Sequence, residues 1–209
     1  MKTVVVIAGG PDVPASIALP AGATVIGADE GAGIGVPVDL AVGDFDSLPE
    51  TALAELERIE RHPVDKDATD LELALDAALR EQPERILVVG SAGGRLDHLF
   101  GSLLLLAAET YARVQVDAQL GSAAVHVVRG TRELGGDPGE LVSLFAVHGA
   151  AHGVTTSGLA YPLHGETLEP GSSRGTSNVF EATQARVSVA SGVVVAVRPS
   201  GSCAAGTGS

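Results

Sequence analysis

Cysteine is almost missing from this chain, and so are tryptophan and long apolar stretches. The single cysteine, Cys203, excludes an intrachain disulfide and a thiolate metal cluster. The longest apolar stretch, around residues 99–108, is far below the roughly 18 residues that a membrane-spanning helix needs. The apolar run near the N-terminus ends at Gly9, too early for a secretory signal. These absences predict a cytoplasmic protein with no membrane partner.

Basic residues are also scarce. The chain has 13 lysines and arginines against 26 acidic residues, which gives a formal net charge of -13. Because generic nucleic-acid binding needs a basic face, this balance argues against a nucleic-acid partner. An acidic protein that binds an anionic substrate usually needs a cation between the protein and that substrate. A net charge of this size also simply keeps proteins soluble.

The first part of the chain alternates between two kinds of pattern. Short β-branched or apolar runs, typical of buried strands, occur at residues 4–8, 24–28, 40–43, 86–90 and 114–116. Helical patterns lie between them at residues 49–61, 69–82 and 95–112, and the first two begin with capping-box sequences. This alternation predicts an α/β domain over residues 1–122 with a mostly parallel, Rossmann-like sheet.

After residue 122 the pattern changes to strands without helices. Strands are predicted at 124–128, 141–147, 186–190 and 193–197, with a turn-rich stretch at 130–139. We therefore expect a second, all-β domain over residues 123–200. Residues 201–209, rich in Gly, Ser and Ala, are expected to form a disordered tail.

Acidic side chains follow several of the predicted strands. Asp44 and Asp46 come directly after the strand at 40–43, and their spacing points both to one side of an extended backbone. Asp70 opens a predicted helix, where the helix dipole alone would favour it. An isolated Asp-x-Asp is often only a solvated loop. Carboxylates that converge at one sheet edge would, however, repel one another, and a divalent cation would remove this repulsion. A ligand set made only of oxygen atoms favours a hard ion such as Mg²⁺.

A glycine-rich segment at residues 90–98 links a strand to a long apolar helix. Its glycines allow backbone N–H groups to approach a phosphate, and Arg95 can make bidentate phosphate contacts. Asp97 is a candidate metal ligand or general base. Two readings stay open for His98, local packing or catalysis, and two for Lys66, neutralising nearby aspartates or touching a phosphate.

Six segments, in order, resemble the signatures of one enzyme family. They are Ala28-Asp29-x-Gly31-Ala32, Pro37-Val38-Asp39-Leu40 running into Gly43-Asp44-Phe45-Asp46-Ser47, Lys66-Asp67-x-Thr69-Asp70-Leu71-Glu72, Gly93-Gly94-Arg95-Leu96-Asp97-His98, Gly158-Leu159-x-Tyr161-Pro162-Leu163, and Ser173-Arg174-Gly175-Thr176-Ser177-Asn178. Together they resemble the thiamine pyrophosphokinases over nearly the whole chain.

This resemblance implies transfer of the pyrophosphoryl group of ATP to the hydroxyl of thiamine, with release of AMP. It implies a homodimer with a C-terminal β-sandwich for thiamine binding and dimerisation, and a thiamine pocket shared between subunits. The resemblance implies that Mg²⁺ is bound by Asp44, Asp46 and Asp70. It implies that ATP is bound by Lys66, Asp67, Thr69, Gly93, Gly94, Arg95 and His98, and that Arg95 and Asp97 act in catalysis. The residues implied for thiamine binding are Asp29, Thr176, Ser177 and Asn178.

One residue departs from the family pattern: Glu30 stands where glycine is usual, and we expect its side chain to face solvent. Two other functions remain possible at this point. One is a pyrophosphokinase for another heterocyclic alcohol, such as a hydroxymethylpterin. The other is a non-catalytic nucleotide-binding module, whose usual mark is the loss of an acidic ligand.

Overall fold

The computed structural model describes residues 1–46, 48–54, 56–201 and 203. The chain divides into two compact units. Unit 1 contains residues 1–105 and 114–121, and unit 2 contains residues 106–113 and 122–203. The boundary expected after residue 122 therefore lies one residue inside unit 2.

Unit 1 is built on six parallel strands. They are β1 (Thr3–Ala8), β2 (Thr24–Ala28), β3 (Leu40–Gly43), β4 (Ile59–Arg61), β5 (Arg85–Gly90) and β6 (Gln115–Leu120). Their order is β6-β5-β1-β2-β3-β4, and every neighbouring pair is parallel. Val4 to Ile7 of β1 have no exposed surface, as expected of a β-branched run covered on both faces.

Three α-helices occur among the described residues, namely α1 (Glu50–Leu53), α2 (Asp70–Arg80) and α3 (Leu96–Leu106). Short 3-10 helices cover Asp29–Gly33 and Glu109–Tyr111. The predicted cap of α2 is present, because the Thr69 hydroxyl accepts a hydrogen bond from Glu72 N at 3.2 Å. In the described part of the chain, no helix combines the length and the apolar character needed to cross a bilayer.

Two helix predictions were wrong at their C-terminal ends. The helix expected at 49–61 stops at Leu53, and Ile59–Arg61 instead forms β4 alongside β3. Apolar periodicity could not reveal this strand, because it depends on the free edge of β3. The helix expected at 95–112 ends at Leu106, and Ala108 is extended before a 3-10 turn. The predicted cap residue Ser47 lies outside the described residues.

The described strand pairs of unit 2 are all antiparallel. Its strands are β7 (Ala123–Gly135), β8 (Leu141–Ala146), β9 (Ala151–Ser157), β10 (His164–Leu168), β11 (Asn178–Val179) and β12 (Gln184–Arg198). The long strand β12 pairs with β7, β8 and β9, and its register with β7 shifts between Val189 and Val194. Leu144, Leu163 and Phe180 belong to a single buried core of this unit.

Several predictions for this half need correction. A turn-rich stretch was expected at 130–139, but residues 130–135 continue strand β7 and pair with the first half of β12. The expectation was therefore wrong for these residues. The strands expected at 186–190 and 193–197 are one continuous strand. Strand pairing over the chain as a whole is mixed, so the mostly parallel, Rossmann-like description is not confirmed for the fold. What the chain has is a mostly-strand fold with few helices.

The expected tail at 201–209 falls largely outside the described residues. Of the two members that are described, Gly201 donates a backbone hydrogen bond to Ser122 O at 2.9 Å. Cys203 is buried, and its thiol donates to Val125 O at 4.0 Å. These two residues are therefore held in unit 2.

Candidate active site

Three carboxylates meet at the C-terminal ends of β2 and β3. One oxygen from each of Asp29, Asp44 and Asp46 lies within 4.8 Å of the other two. Asp29 directly follows β2, and the other two follow β3. Because β2 and β3 are parallel neighbours, their carboxyl ends bring the two acidic segments to the same edge.

Local backbone geometry holds this cluster in shape. Asp29 and Phe45 both have positive φ angles, 44° and 59°, a conformation uncommon for residues other than glycine. Asp29 Oδ1 accepts a hydrogen bond from Phe45 N at 2.9 Å. Asp46 N donates to Asp44 Oδ1 at 3.3 Å. These contacts tie the turn after β3 to the first residue after β2.

Lys66 joins this cluster to the start of α2. Its Nζ lies 2.5 Å from Asp44 Oδ2 and 2.9 Å from Asp70 Oδ1. The hydrogen bond from Lys66 lowers the pKa of Asp44. Burial opposes the charge of Lys66, but its hydrogen bonds to the two aspartates outweigh burial and raise its pKa. Asp70 is thus linked to the predicted metal site through a lysine, whereas Asp29, expected on the thiamine side, lies within it.

The donor set of this cluster suits a hard divalent cation. Mg²⁺ binds oxygen ligands octahedrally at 2.0–2.1 Å, so two ligand oxygens lie about 2.9 Å apart when adjacent and about 4.2 Å apart when opposite. The three carboxylate oxygens lie within 4.8 Å of one another, so small side-chain movements would bring them to these distances. The three side chains range from partly buried to exposed, which leaves room for water and substrate oxygens. Asp29, Asp44 and Asp46 therefore fit Mg²⁺, with Lys66 as the nearby cation.

The glycine-rich turn lies after β5 and before α3. Its residue Gly93 donates its N–H to Asp12 Oδ1 at 2.9 Å and to Ser91 Oγ at 3.0 Å. The Ser91 hydroxyl also donates to Asp12 Oδ1. Asp12 and Ser91 were missed at the sequence level, although Asp12 follows β1 just as the other acidic clusters follow their strands.

Arg95 and Asp97 face each other at the start of α3. Arg95 Nη2 donates to Asp97 Oδ2 at 2.6 Å, and Arg95 Nε donates to Oδ1 at 3.2 Å. Both side chains are exposed, at 71% and 63%. Hydrogen bonding from Arg95 lowers the pKa of Asp97 to about 2. The two residues expected to act in catalysis are thus paired with each other here, and His98 next to them is exposed.

Two of the residues expected to bind ATP, Asp67 and Thr69, lie just before α2. Thr69 caps the helix as predicted. Asp67 is exposed in the turn between Lys66 and Thr69. Glu30 is also exposed, in line with the expectation that its side chain faces solvent.

The segment expected to bind thiamine lies in unit 2. Thr176 and Ser177 are exposed, and Ser177 has a φ of 56° with its N–H bonded to Ser143 Oγ at 3.0 Å. Asn178 is only 2% exposed. Its Oδ1 accepts from Tyr161 N and Val179 N, and its Nδ2 donates to Tyr161 O. The Asn178 amide therefore organises the segment that carries Tyr161.

Comparison with known proteins decides the family. Residues 19–117 match the family model "Thiamin pyrophosphokinase, catalytic domain", and residues 125–194 match "Thiamin pyrophosphokinase, vitamin B1 binding domain". The chain is 32% identical to a thiamine pyrophosphokinase of Bacillus subtilis (strain 168), over 95% of this chain and 99% of that protein. The chain belongs to the thiamine pyrophosphokinase family.

Solved structures agree with this family assignment. The crystal structure of a thiamine pyrophosphokinase from Bacillus subtilis aligns with a TM-score of 0.81 and 27% identity, covering 94% of this chain and 98% of the other. A thiamin pyrophosphokinase family protein from Enterococcus faecalis aligns with a TM-score of 0.80 and 26% identity, covering 97% and 100%. The expectation of a thiamine pyrophosphokinase, an enzyme and not a passive binding module, is confirmed, and neither alternative function gains support.

Proposed function

We propose that this enzyme holds Mg²⁺ at Asp29, Asp44 and Asp46, with Asp70 close by, and uses it to receive ATP. The observation that supports this site is the convergence of three carboxylates within 4.8 Å at the ends of β2 and β3. When bound, Mg²⁺ would neutralise phosphate charge and help align the polyphosphate. Lys66 keeps one positive charge between Asp44 and Asp70 and can serve the same phosphates.

The glycine-rich turn supplies the second half of the ATP site. The N–H groups of the first turn of α3 have no carbonyl partner within the helix, so they can donate to phosphate oxygens together with the Gly94 N–H. Arg95 is mostly exposed and can exchange Asp97 for a phosphate as its bidentate partner. We assign Lys66, Asp67, Thr69 and His98 to the rim of this ATP site.

Transfer of a pyrophosphoryl group requires attack at the β-phosphorus. The hydroxyl oxygen of thiamine forms a bond to the β-phosphorus. The bond between the β-phosphorus and the α,β-bridging oxygen breaks, and AMP leaves with the bridging oxygen. The hydroxyl proton passes to Asp97 or to water. Positioning and charge neutralisation account for most catalysis in such transfers, so Arg95 and the acidic cluster carry the main roles.

We further propose a homodimer in which unit 2 of one subunit completes the thiamine site of the other. Thr176 and Ser177 are exposed and available to a ligand, and Asn178 holds the neighbouring Tyr161 segment. An apolar surface of α3 supports association, because Leu96 is 78% exposed and Phe100 is 61% exposed. In this proposal unit 2 is a β-sandwich for thiamine binding and dimerisation, and the enzyme is cytoplasmic.

The product assay tests the chemistry directly. The purified protein is incubated with Mg-ATP and thiamine, and the nucleotides and thiamine esters are separated by chromatography. We expect AMP and thiamine diphosphate in equal amounts. Stoichiometric ADP with thiamine monophosphate would contradict attack at the β-phosphorus.

Paired variants test the metal assignment. Asp46→Asn removes one carboxylate charge from the cluster, and the matched control Asp65→Asn changes an exposed aspartate of the turn before α2. We expect Asp46→Asn to raise the Mg²⁺ concentration for half-maximal activity at least about tenfold, because a metal ligand is weakened. Equal Mg²⁺ dependence in both variants would remove Asp46 from the metal site.

Subunit mixing tests the shared pocket. Asp44→Asn disables the acidic cluster and Ser177→Arg blocks the thiamine side, so each variant alone should be inactive. Random exchange between two such homodimers yields heterodimers with one intact site, and activity should recover to about a quarter of wild type. No recovery, with heterodimers verified by mass spectrometry, would show that each subunit forms its own site.

A further inference from the structure

Asp12 makes contacts that the function described so far does not use. It lies in the loop after β1, and its carboxylate reaches across to the turn after β5. Asp12 Oδ1 accepts the Gly93 N–H at 2.9 Å and the Ser91 hydroxyl, while Ser91 Oγ accepts the same Gly93 N–H at 3.0 Å. The three groups form one closed hydrogen-bonded network.

The Asp12 carboxylate lies close to two glycines. A Cβ added at Gly121, just after β6, would lie 2.7 Å from Asp12 Oδ2, and one added at Gly93 would lie 3.2 Å from Oδ1. Gly121 N also donates to Gly90 O at 2.9 Å, which ties the end of β6 to the end of β5. Asp12 therefore contacts the residues that follow two strands, β5 and β6, while itself following a third, β1.

The turn needs such support because of its composition. Gly90, Gly93 and Gly94 leave the backbone with many accessible conformations, and Gly94 has a φ of 82°. Selecting one of these conformations at the moment of ligand binding would weaken affinity, whereas a turn that is already ordered avoids this loss. The two hydrogen bonds to Asp12 order the turn immediately before Arg95.

We propose that Asp12 is a positioning residue for the nucleotide. It fixes the turn from Ser91 to Gly94 so that Arg95 and the first amides of α3 are already aimed at the polyphosphate. The Asp12 carboxylate accepts the hydrogen bond of the Gly93 N–H, whereas the backbone N–H groups from Gly94 onward donate to the polyphosphate. This inference rests on the proposed assignment of ATP to the Gly93–Arg95 turn.

Three variants separate the hydrogen-bond acceptor from the charge. Asp12→Ala removes the acceptor, and Asp12→Asn keeps an oxygen that can accept from Gly93 N while losing the charge. Ser91→Ala removes one of the two donors to Asp12. Asp137→Ala, at an exposed carboxylate of unit 2, is the control. Mg-ATP binding is measured by calorimetry without thiamine, together with KM for both substrates and the melting temperature.

We expect Asp12→Ala to weaken Mg-ATP binding and raise KM for ATP about tenfold, since a charge-assisted hydrogen bond is lost. KM for thiamine and the melting temperature should stay close to wild type. Asp12→Asn should bind Mg-ATP within about threefold of wild type, and Ser91→Ala should fall between the two. If Asp12→Ala cannot be purified, the comparison of Asp12→Asn with Ser91→Ala still tests the order of affinities.

Several results would overturn the inference. Unchanged Mg-ATP binding in Asp12→Ala would show that the turn needs no support, and tighter binding would show that the carboxylate competes with the phosphates. Asp12→Asn as weak as Asp12→Ala would refute an acceptor role. Equal rises of both KM values with a lower melting temperature would reduce Asp12 to general stability. Wild-type protein that makes no AMP would instead refute the proposed function, so the two failures are distinguishable.

Discussion

Asn178 and Tyr161 exchange two hydrogen bonds, from Tyr161 N to Asn178 Oδ1 at 3.0 Å and from Asn178 Nδ2 to Tyr161 O at 2.7 Å. A side-chain amide here replaces the backbone partner that a neighbouring strand would supply. Because Asn178 is buried, its loss would leave backbone groups of the Tyr161 segment without partners.

The first prediction concerns this pair. Asn178→Ala should lower the free energy of unfolding by about 2–3 kcal/mol, because buried donors and acceptors lose their partner. Urea unfolding monitored by circular dichroism gives this value. The control Ser177→Ala changes an exposed side chain and should stay within about 0.5 kcal/mol of wild type. Equal stability of the two variants would mean that Tyr161 is held by other contacts.

A second prediction concerns the pH dependence of catalysis. In the free enzyme the pKa of Asp97 is lowered to about 2, chiefly by hydrogen bonding from Arg95, so Asp97 is ionised in that state above about pH 4. We expect kcat/KM to show no acidic limb from Asp97 between about pH 4 and pH 7. Asp97→Asn should lower kcat/KM by a similar factor across that range. An acidic limb that disappears in Asp97→Asn would contradict this assignment.

A third prediction concerns Lys66 in protein freed of divalent metal. Without Lys66, the Asp44 and Asp70 carboxylates face each other unneutralised, so Lys66→Met should lower stability by roughly 1–3 kcal/mol at pH 7. The control is Lys2→Met, because Lys2 and Lys66 are the only lysines of the chain. Added Mg²⁺ should restore more stability to Lys66→Met than to Lys2→Met in thermal melts with and without chelator.

The sign of the pH effect follows from the shifted groups. Asp44 has a lowered pKa, so its contribution is present above its ordinary value of 3.8 and is lost as the pH falls through the lower folded value. Lys66 has a raised pKa, so its contribution is present below 10.5 and is lost as the pH rises through the higher folded value. The stability difference between wild type and Lys66→Met should therefore persist between these limits. A difference confined to strongly acidic pH would contradict it.

The fourth prediction concerns the buried ion pair between β5 and β6. Arg85 Nε lies 2.7 Å from Asp117 Oδ2, and the two side chains are 5% and 1% exposed. Arg85→Met should lower the free energy of unfolding by about 3–5 kcal/mol, because it removes the cation that neutralises the buried Asp117 carboxylate. The double variant with Asp117→Leu should recover much of that loss. A double variant less stable than Arg85→Met would show that Asp117 stabilises unit 1 through other contacts, such as the hydrogen bond that it accepts from Gln115 Nε2 at 2.9 Å.

Five of the six described strands of unit 1 could be predicted from sequence, because each contains a short apolar or β-branched run. The helix α2 was predictable because Thr69 caps it and its apolar residues recur at helical spacing. The predicted helix at 49–61 failed where β4 begins, because that strand exists only through pairing with β3. In unit 2, β9 and β10 carry Gly, Thr and His and lack a distinctive apolar pattern, and β11 has only two residues.

The sequence alone could indicate which carboxylates lie near each other where these residues are close along the chain. Asp44 and Asp46 are two positions apart, so their common direction follows from extended backbone geometry. The contact between Asp12 and Ser91 spans 79 positions, and no local pattern announces it. Asp29 was placed with thiamine by resemblance alone, whereas the adjacency of β2 and β3 puts it beside Asp44.

The central place of β12 has a consequence for how the chain is made. The strands of unit 1 are complete by Leu120, so its sheet can close while the ribosome is still adding later residues. Strands β7, β8 and β9 all pair with β12, which comes last among the described strands. Until Gln184–Arg198 emerges, these strands have unpaired edges exposed to water and to other nascent chains. A chain whose translation stops before Gln184 therefore keeps unpaired strand edges, which makes it prone to aggregation and a substrate for chaperones and proteases.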